Sequence, residues 1–222
     1  MMDIARDLES IMEDVRAGLA GKHAAREQAL TLCREVIRHS ANAIRAVHRN
    51  DYAAATALIE PARTKLGEVI EILEDYPEIF HAGFVADAQK ELAEAALTLA
   101  LVRHDPLPRP ASLGMSEAPY LNGLGEAVGE IRRYLLDVLR VGDVDRCEGY
   151  LRAMDDIYSA LVTVDYPDAL TGGLRRTTDV TRGVLEKTRA DLTLAAQQYA
   201  LERRLSAFEL RLGPSLLTTG EQ

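Results

Sequence analysis

Apolar residues recur along this chain at intervals of three and four, the period of an α-helix, over almost its whole length. Between residues 2 and 19 the stripe is Ile4, Leu8, Ile11, Met12 and Val15. After a break at Gly21, a second helix is predicted over 22–47, with Leu30, Cys33, Ile37, Ala41 and Ile44 as its inner face. Asn50-Asp51 ends it, and the Asp51 carboxylate can cap a third helix over 52–73. Pro61 falls inside that pattern and predicts a kink, because it lacks an N–H and crowds the preceding turn. Tyr76-Pro77 stops the third helix. A fourth, over 80–102, becomes almost wholly apolar from 95 to 102, where only Thr98 is polar.

Residues 103–119 hold Pro106, Pro108, Pro110 and Pro119 and form the one long predicted loop. A fifth helix over 120–140 stops at Gly142, a favourable residue just past a helix end. Asp143 can cap a sixth helix over 144–162. Asp165-Tyr166-Pro167 breaks the chain again, and a last long helix follows over 174–212. Its recurrent apolar sites are Val180, Val184, Leu185, Ala190, Leu194, Tyr199 and Leu205. The pattern therefore predicts one all-α domain spanning 1–222. It divides into an N-terminal helix at 1–21, a core at 22–212 and a frayed tail at 213–222, about seven helices in all.

Composition narrows this picture. With 222 residues, 47% of them hydrophobic but only 5% aromatic, the chain can bury one substantial helical core. A net charge of −9 argues against coating nucleic acid with the whole surface, though not against one basic stripe. No apolar run is long enough for a membrane span, and the charged first helix lacks a signal-peptide core. Cys33 and Cys147 both sit in helical patterns, as free thiols of a reducing cytoplasm do. The five histidines lack zinc-ligand spacing, and Gly172-Gly173 has neither the strand nor the Lys of a phosphate-binding loop.

Four charged groups carry candidate chemistry. Glu91 and Glu94 are neighbours on one helix flank, with Asp87 a turn earlier. Their repulsion weakens a helix by a few tenths of a kcal/mol, and a hard cation such as Mg²⁺, which prefers carboxylate oxygen, would reverse that sign. The alternative is a solvated acidic face. On the second helix, Arg34, Arg38, Arg45 and Arg49 fall within about 60° of one another over about 22 Å of rise. Such a column suits phosphates, or else pairs with acids of neighbouring helices. Asp145 and Glu148 open the sixth helix, where acids are also favoured by the helix dipole. Glu126 and Glu130 form one more pair, on the fifth helix, and Glu130 can bridge to Arg133.

The run Arg26-Glu27-Gln28-Ala29-Leu30-Thr31-Leu32-Cys33-Arg34-Glu35-Val36-Ile37-Arg38-His39-Ser40, continued by Ile44-Arg45-Ala46-Val47-His48-Arg49, resembles the second helix of the translin family. Gln89-Lys90-Glu91-Leu92-Ala93-Glu94-Ala95 and the stretch from Pro119-Tyr120-Leu121 to Ile131-Arg132-Arg133 follow in family order. So does the junction Gly142-Asp143-Val144-Asp145. The resemblance covers about residues 22–205. It implies seven helices per subunit and a closed shell of about eight subunits around single-stranded RNA, or DNA. Having Glu91 and Glu94 where translin itself is apolar, the chain is similar to the catalytic branch, translin-associated factor X, a Mg²⁺-dependent RNA-cleaving subunit. On that resemblance Glu91, Glu94 and Asp145 carry catalysis and hold Mg²⁺ or Mn²⁺. The branch's further metal-binding Glu falls at Gly149, leaving Glu148 or Glu130 to replace it. The basic stretch that translin carries before its fourth helix is absent, since 80–88 contains no Lys or Arg. The implied function is thus a Mg²⁺-dependent endoribonuclease of the cytoplasm, working as a homo-oligomer with Arg34, Arg38, Arg45 and Arg49 on the RNA backbone. A non-catalytic single-strand binder and a helical scaffold are the other readings.

Overall fold

The computed structural model describes residues 4–212, so the predicted tail at 213–222 lies outside the described residues. Within them every regular element is a helix. In order the helices are α1 (Ile4–His48), α2 (Tyr52–Ile72), α3 (Pro77–Phe80), α4 (Phe84–Arg103), α5 (Glu117–Arg140), α6 (Val144–Val162), α7 (Asp168–Thr171) and α8 (Leu174–Leu212), with a 3₁₀ turn at Pro110–Leu113. Six of these are long; α3 and α7 are single turns.

The boundaries follow local chemistry. The Asp51 carboxylate accepts from the Ala54 N–H at 3.1 Å and starts α2. Asp143 does the same for α6, accepting from Arg146 N–H at 3.2 Å. Gly142, at φ +88°, makes the left-handed turn between α5 and α6. The break expected at Gly21 is absent, because one helical glycine costs only about 1 kcal/mol and nothing there caps a new helix. Gly21 instead lies where α1 passes Tyr76, whose hydroxyl would stand 3.4 Å from a Cβ at that position. The predicted fourth helix divides: α3 ends at Phe80, and Gly83 at φ +84° leads into α4.

α2 returns along α1, and α4 packs against α1, α2 and α5. Between Ala88 and Val102 most of α4 is buried, including Ala88, Leu92, Ala93, Ala95 and Leu97. A helix apolar on nearly every side belongs at the centre. α5 and α8 run side by side in the same direction, held by Arg132 to Asp191 at 2.7 Å and by Arg132 to the Thr188 hydroxyl at 2.9 Å. α6 lies against both.

The inner face of α8 differs from the apolar sites its sequence suggests. Leu174, Thr181, Leu185, Thr188 and Leu192 are buried, while Val180, Leu194 and Leu205 are exposed. Buried threonines are tolerated because each hydroxyl returns to a carbonyl one turn back: Thr181 to Thr177 at 2.9 Å and Thr188 to Val184 at 2.7 Å. At the other extremity, every side chain of α1 from 4 to 24 is exposed, its apolar stripe included. Cys33 and Cys147 are buried free thiols, each pushed up to about 11 by burial.

Candidate metal centre

Glu91 and Glu94 leave the same flank of α4 toward α5, and Glu126 of α5 meets them. One carboxylate oxygen from each lies within 4.8 Å of the other two, all three side chains being half-buried. The closeness comes from Gly123, one turn before Glu126. A Cβ there would stand 2.7 Å from the Lys90 carbonyl oxygen and 2.7 Å from Ala93 Cβ, so only glycine lets the two backbones approach this far. Lys90 Nζ donates to Glu126 Oε1 at 2.8 Å and neutralises part of the charge.

Burial is the main reason the Glu94 carboxyl is pushed up to about 8, with the charges of Glu91, Glu126 and Glu130 adding to it. Glu91 is raised as well, chiefly by burial, with Lys90 opposing. Half-buried carboxylates that repel one another gain most from a cation between them. The donors are all carboxylate oxygens, with no His or Cys, which suits Mg²⁺ or Mn²⁺ rather than zinc. Octahedral Mg²⁺ spans about 4.2 Å between opposite oxygens, twice its bond length, so small side-chain movements would close these three on one ion.

The other residues predicted for the site are placed differently. Glu130 lies one turn beyond Glu126, yet its carboxylate is bonded to His48 Nε2 of α1, with Arg133 at 3.9 Å. The His48 hydrogen bond holds the Glu130 carboxyl below the ordinary range, against the effect of burial. Glu130 is therefore tied to α1 beside the triad, close enough to act on Glu94. Asp145 and Glu148 join no metal-sized group among the described residues and are exposed at the start of α6. That end of α6 is fixed by Arg146, donating to the Tyr134 hydroxyl at 3.0 Å. Tyr134 is eight residues, about 12 Å, along α5 from Glu126. The structure thus puts Asp145 and Glu148 at a helix start and leaves the acidic crossing without them.

Arg34, Arg38, Arg45 and Arg49 are all exposed on α1. Arg38 stands 4.0 Å from Glu35, and Arg45 donates to the Asn42 side chain at 2.7 Å. Arg45 and Arg49 lie about 60° and 100° around the helix from His48. The column therefore runs up to the flank on which His48 reaches Glu130.

No family model matches the chain. An uncharacterized protein of Methanocaldococcus jannaschii is 32% identical over 202 residues, covering 87% of this chain and 86% of that protein. The crystal structure of AfC3PO superposes with a TM-score of 0.75 at 32% identity, over 84% of this chain and 97% of that one. The chain belongs to the translin family. A second structure of that relative, AfC3PO in complex with duplex RNA, superposes at 0.67 with 34% identity, over 84% of this chain and 97% of that one. Apo-NeC3PO superposes with a TM-score of 0.71 at 19% identity, over 88% of this chain and 98% of that one, and supports the fold alone.

Within the translin fold, the residue that sequence reasoning passed over is Glu126. It was visible only as the i,i+4 companion of Glu130. Gly123, one turn before it, was the available signal, since a glycine there admits the α4 backbone at Lys90 and Ala93. No helix among the described residues is long and apolar enough to cross a membrane.

Proposed function

We propose that this protein is a divalent-metal-dependent endoribonuclease acting on single-stranded RNA. The observation that carries the reading is the Glu91–Glu94–Glu126 triad at the α4–α5 crossing. A Mg²⁺ or Mn²⁺ ion held there would lower the pKa of a bound water and offset charge developing on the phosphate. Glu130, anchored by His48, adds a fourth carboxylate beside the triad and is the natural residue to complete the set. Arg34, Arg38, Arg45 and Arg49 bind the RNA backbone, which fixes position without reading sequence. That a similar protein is solved with duplex RNA supports nucleic acid as the ligand.

A closed homo-oligomer of about eight copies, in the cytoplasm, goes with this reading. The exposed apolar stripe Ile4, Leu8, Ile11, Met12, Val15 and Leu19 supports association, because a contiguous apolar face left in solvent marks a contact surface. A second reading, a binder of single-stranded RNA or DNA without catalysis, draws on Lys90, whose ammonium already sits on Glu126 where a metal would bind. Incubation with a short single-stranded RNA in Mg²⁺ separates them. Cleavage that EDTA stops and that Glu94→Ala abolishes is expected; intact RNA, or a Glu94→Ala protein as active as the parent, overturns the nuclease reading.

A further inference from the structure

A cleft of about 460 Å³ runs between α5 and α8 and opens onto the triad, with Glu94 and Glu126 in its lining. That volume is within the range of clefts that hold small organic ligands, about 300–1,000 Å³. Two glycines of α5 line it for different reasons. Gly125 is required by packing, since a Cβ there would stand 2.4 Å from Thr177 Cγ2. Gly129 is not: it is helical and exposed, and nothing lies within 4 Å of where its Cβ would be. A mid-helix glycine costs about 1 kcal/mol against alanine. What its bare backbone does here is keep the cleft open one turn from Glu126.

The α8 wall carries Val180 and Val184, and Arg176. Val180 is exposed to solvent. Arg176 is exposed and takes part in none of the ion pairs among the described residues, although its neighbour in the same helix, Arg182, has Asp179. One cleft therefore offers a guanidinium, an apolar wall and, at the triad, carboxylates suited to a cation. A nucleotide within a strand presents the matching series: a phosphate, a sugar and base with apolar surface, and a second phosphate.

We propose that the α5–α8 cleft holds the nucleotide next to the scissile bond, with its outer phosphate on Arg176 and its sugar and base along Val180 and Val184. The proposal rests on the triad being the nuclease centre. It assigns Arg176 as a binding residue and Gly129 as the position that admits the strand.

The test uses the full-length protein and a fluorescein-labelled eight-residue oligouridylate, bound in Ca²⁺ over a range of salt and cleaved in Mg²⁺. Gly129→Leu and Arg176→Ala should unfold at or above the wild-type temperature and bind Mn²⁺, read by electron paramagnetic resonance, as wild type does. Gly129→Leu fills the cleft and should weaken oligonucleotide binding at least about tenfold. Arg176→Ala should weaken it about fivefold and flatten the slope of log K against log salt by about 0.7, one phosphate contact on a single strand. Arg176→Lys should restore most of both. Wild-type affinity in Gly129→Leu, or an unchanged salt slope in Arg176→Ala, overturns the proposal. Cleavage unaffected by either change sinks the cleft and leaves the nuclease reading standing. Oligonucleotide binding that depends on both residues, in a wild-type protein that neither binds Mn²⁺ nor cleaves, retains the cleft and sinks the metal centre.

Discussion

Glu91 and Glu94 on α4, and Asp145 and Glu148 on α6, are carboxylate pairs at the same three-residue spacing on helices. The first pair meets a third carboxylate, Glu126, in a half-buried crossing. The second stays exposed beside the Asp143 cap, where negative charge is stabilised by the helix terminus and asks for no further partner. Spacing along one helix is thus the weaker part of a metal site. The neighbouring helix decides it, and here Gly123 sets how near that neighbour comes.

The widest separation of the two pairs should appear in metal binding. Glu94→Gln is expected to lower Mn²⁺ affinity at least about a hundredfold, beyond the loss from disturbing a ligand's support. Asp145→Asn and Glu148→Gln should leave it within about twofold of wild type. Isothermal titration measures all three. Gly149→Glu, which restores the acid that family resemblance expects on α6, should leave the affinity unchanged.

The glycines give the next largest contrast. Gly123→Ala forces α4 and α5 apart, so thermal unfolding should show a loss of about 1–3 kcal/mol, with weaker Mn²⁺ binding alongside. Gly149 has nothing within 4 Å of its Cβ position. Gly149→Ala should therefore stabilise α6 by about 0.5–1 kcal/mol. Equal effects at the two positions would remove the structural basis of the comparison.

Acidity separates the regions too. With the Glu94 carboxyl near 8 in the folded protein, the folded state keeps a proton that the unfolded chain releases above its ordinary value of 4.5. The folded state then binds more protons, so this group's contribution to stability falls as pH rises from 4.5 to 8. Glu94→Gln removes that loss, and without metal it should raise the melting temperature at pH 8 by about 4–8 °C, for about 2 kcal/mol, with little change near pH 4.5. Mn²⁺ binding to wild type should tighten with pH up to about 8 as protons cease to compete. A purely local effect remains at the cap: Asp143→Ala should cost about 1 kcal/mol in urea unfolding and leave metal binding alone.

Much of the fold was legible because amphipathic periodicity and Asp caps act locally. Asp51 and Asp143 start helices where the sequence places them. α8 was harder, since Thr181 and Thr188 satisfy their hydroxyls within the helix and so occupy positions that hydropathy assigns to Val or Leu. The site was legible by half. Glu91 and Glu94 share a helix and announce themselves, whereas Glu126 joins them across 32 residues, through a crossing that sequence hints at only in Gly123. Glu130 was recognised as a candidate, but its bond to His48, 82 residues away, follows from tertiary packing alone.

Anomalous diffraction from crystals grown with Mn²⁺ tests the central claim most directly. The account predicts a peak at the α4–α5 crossing with oxygens of Glu91, Glu94 and Glu126 at about 2.2 Å. A peak at Asp145 and Glu148, with the crossing empty, would contradict it.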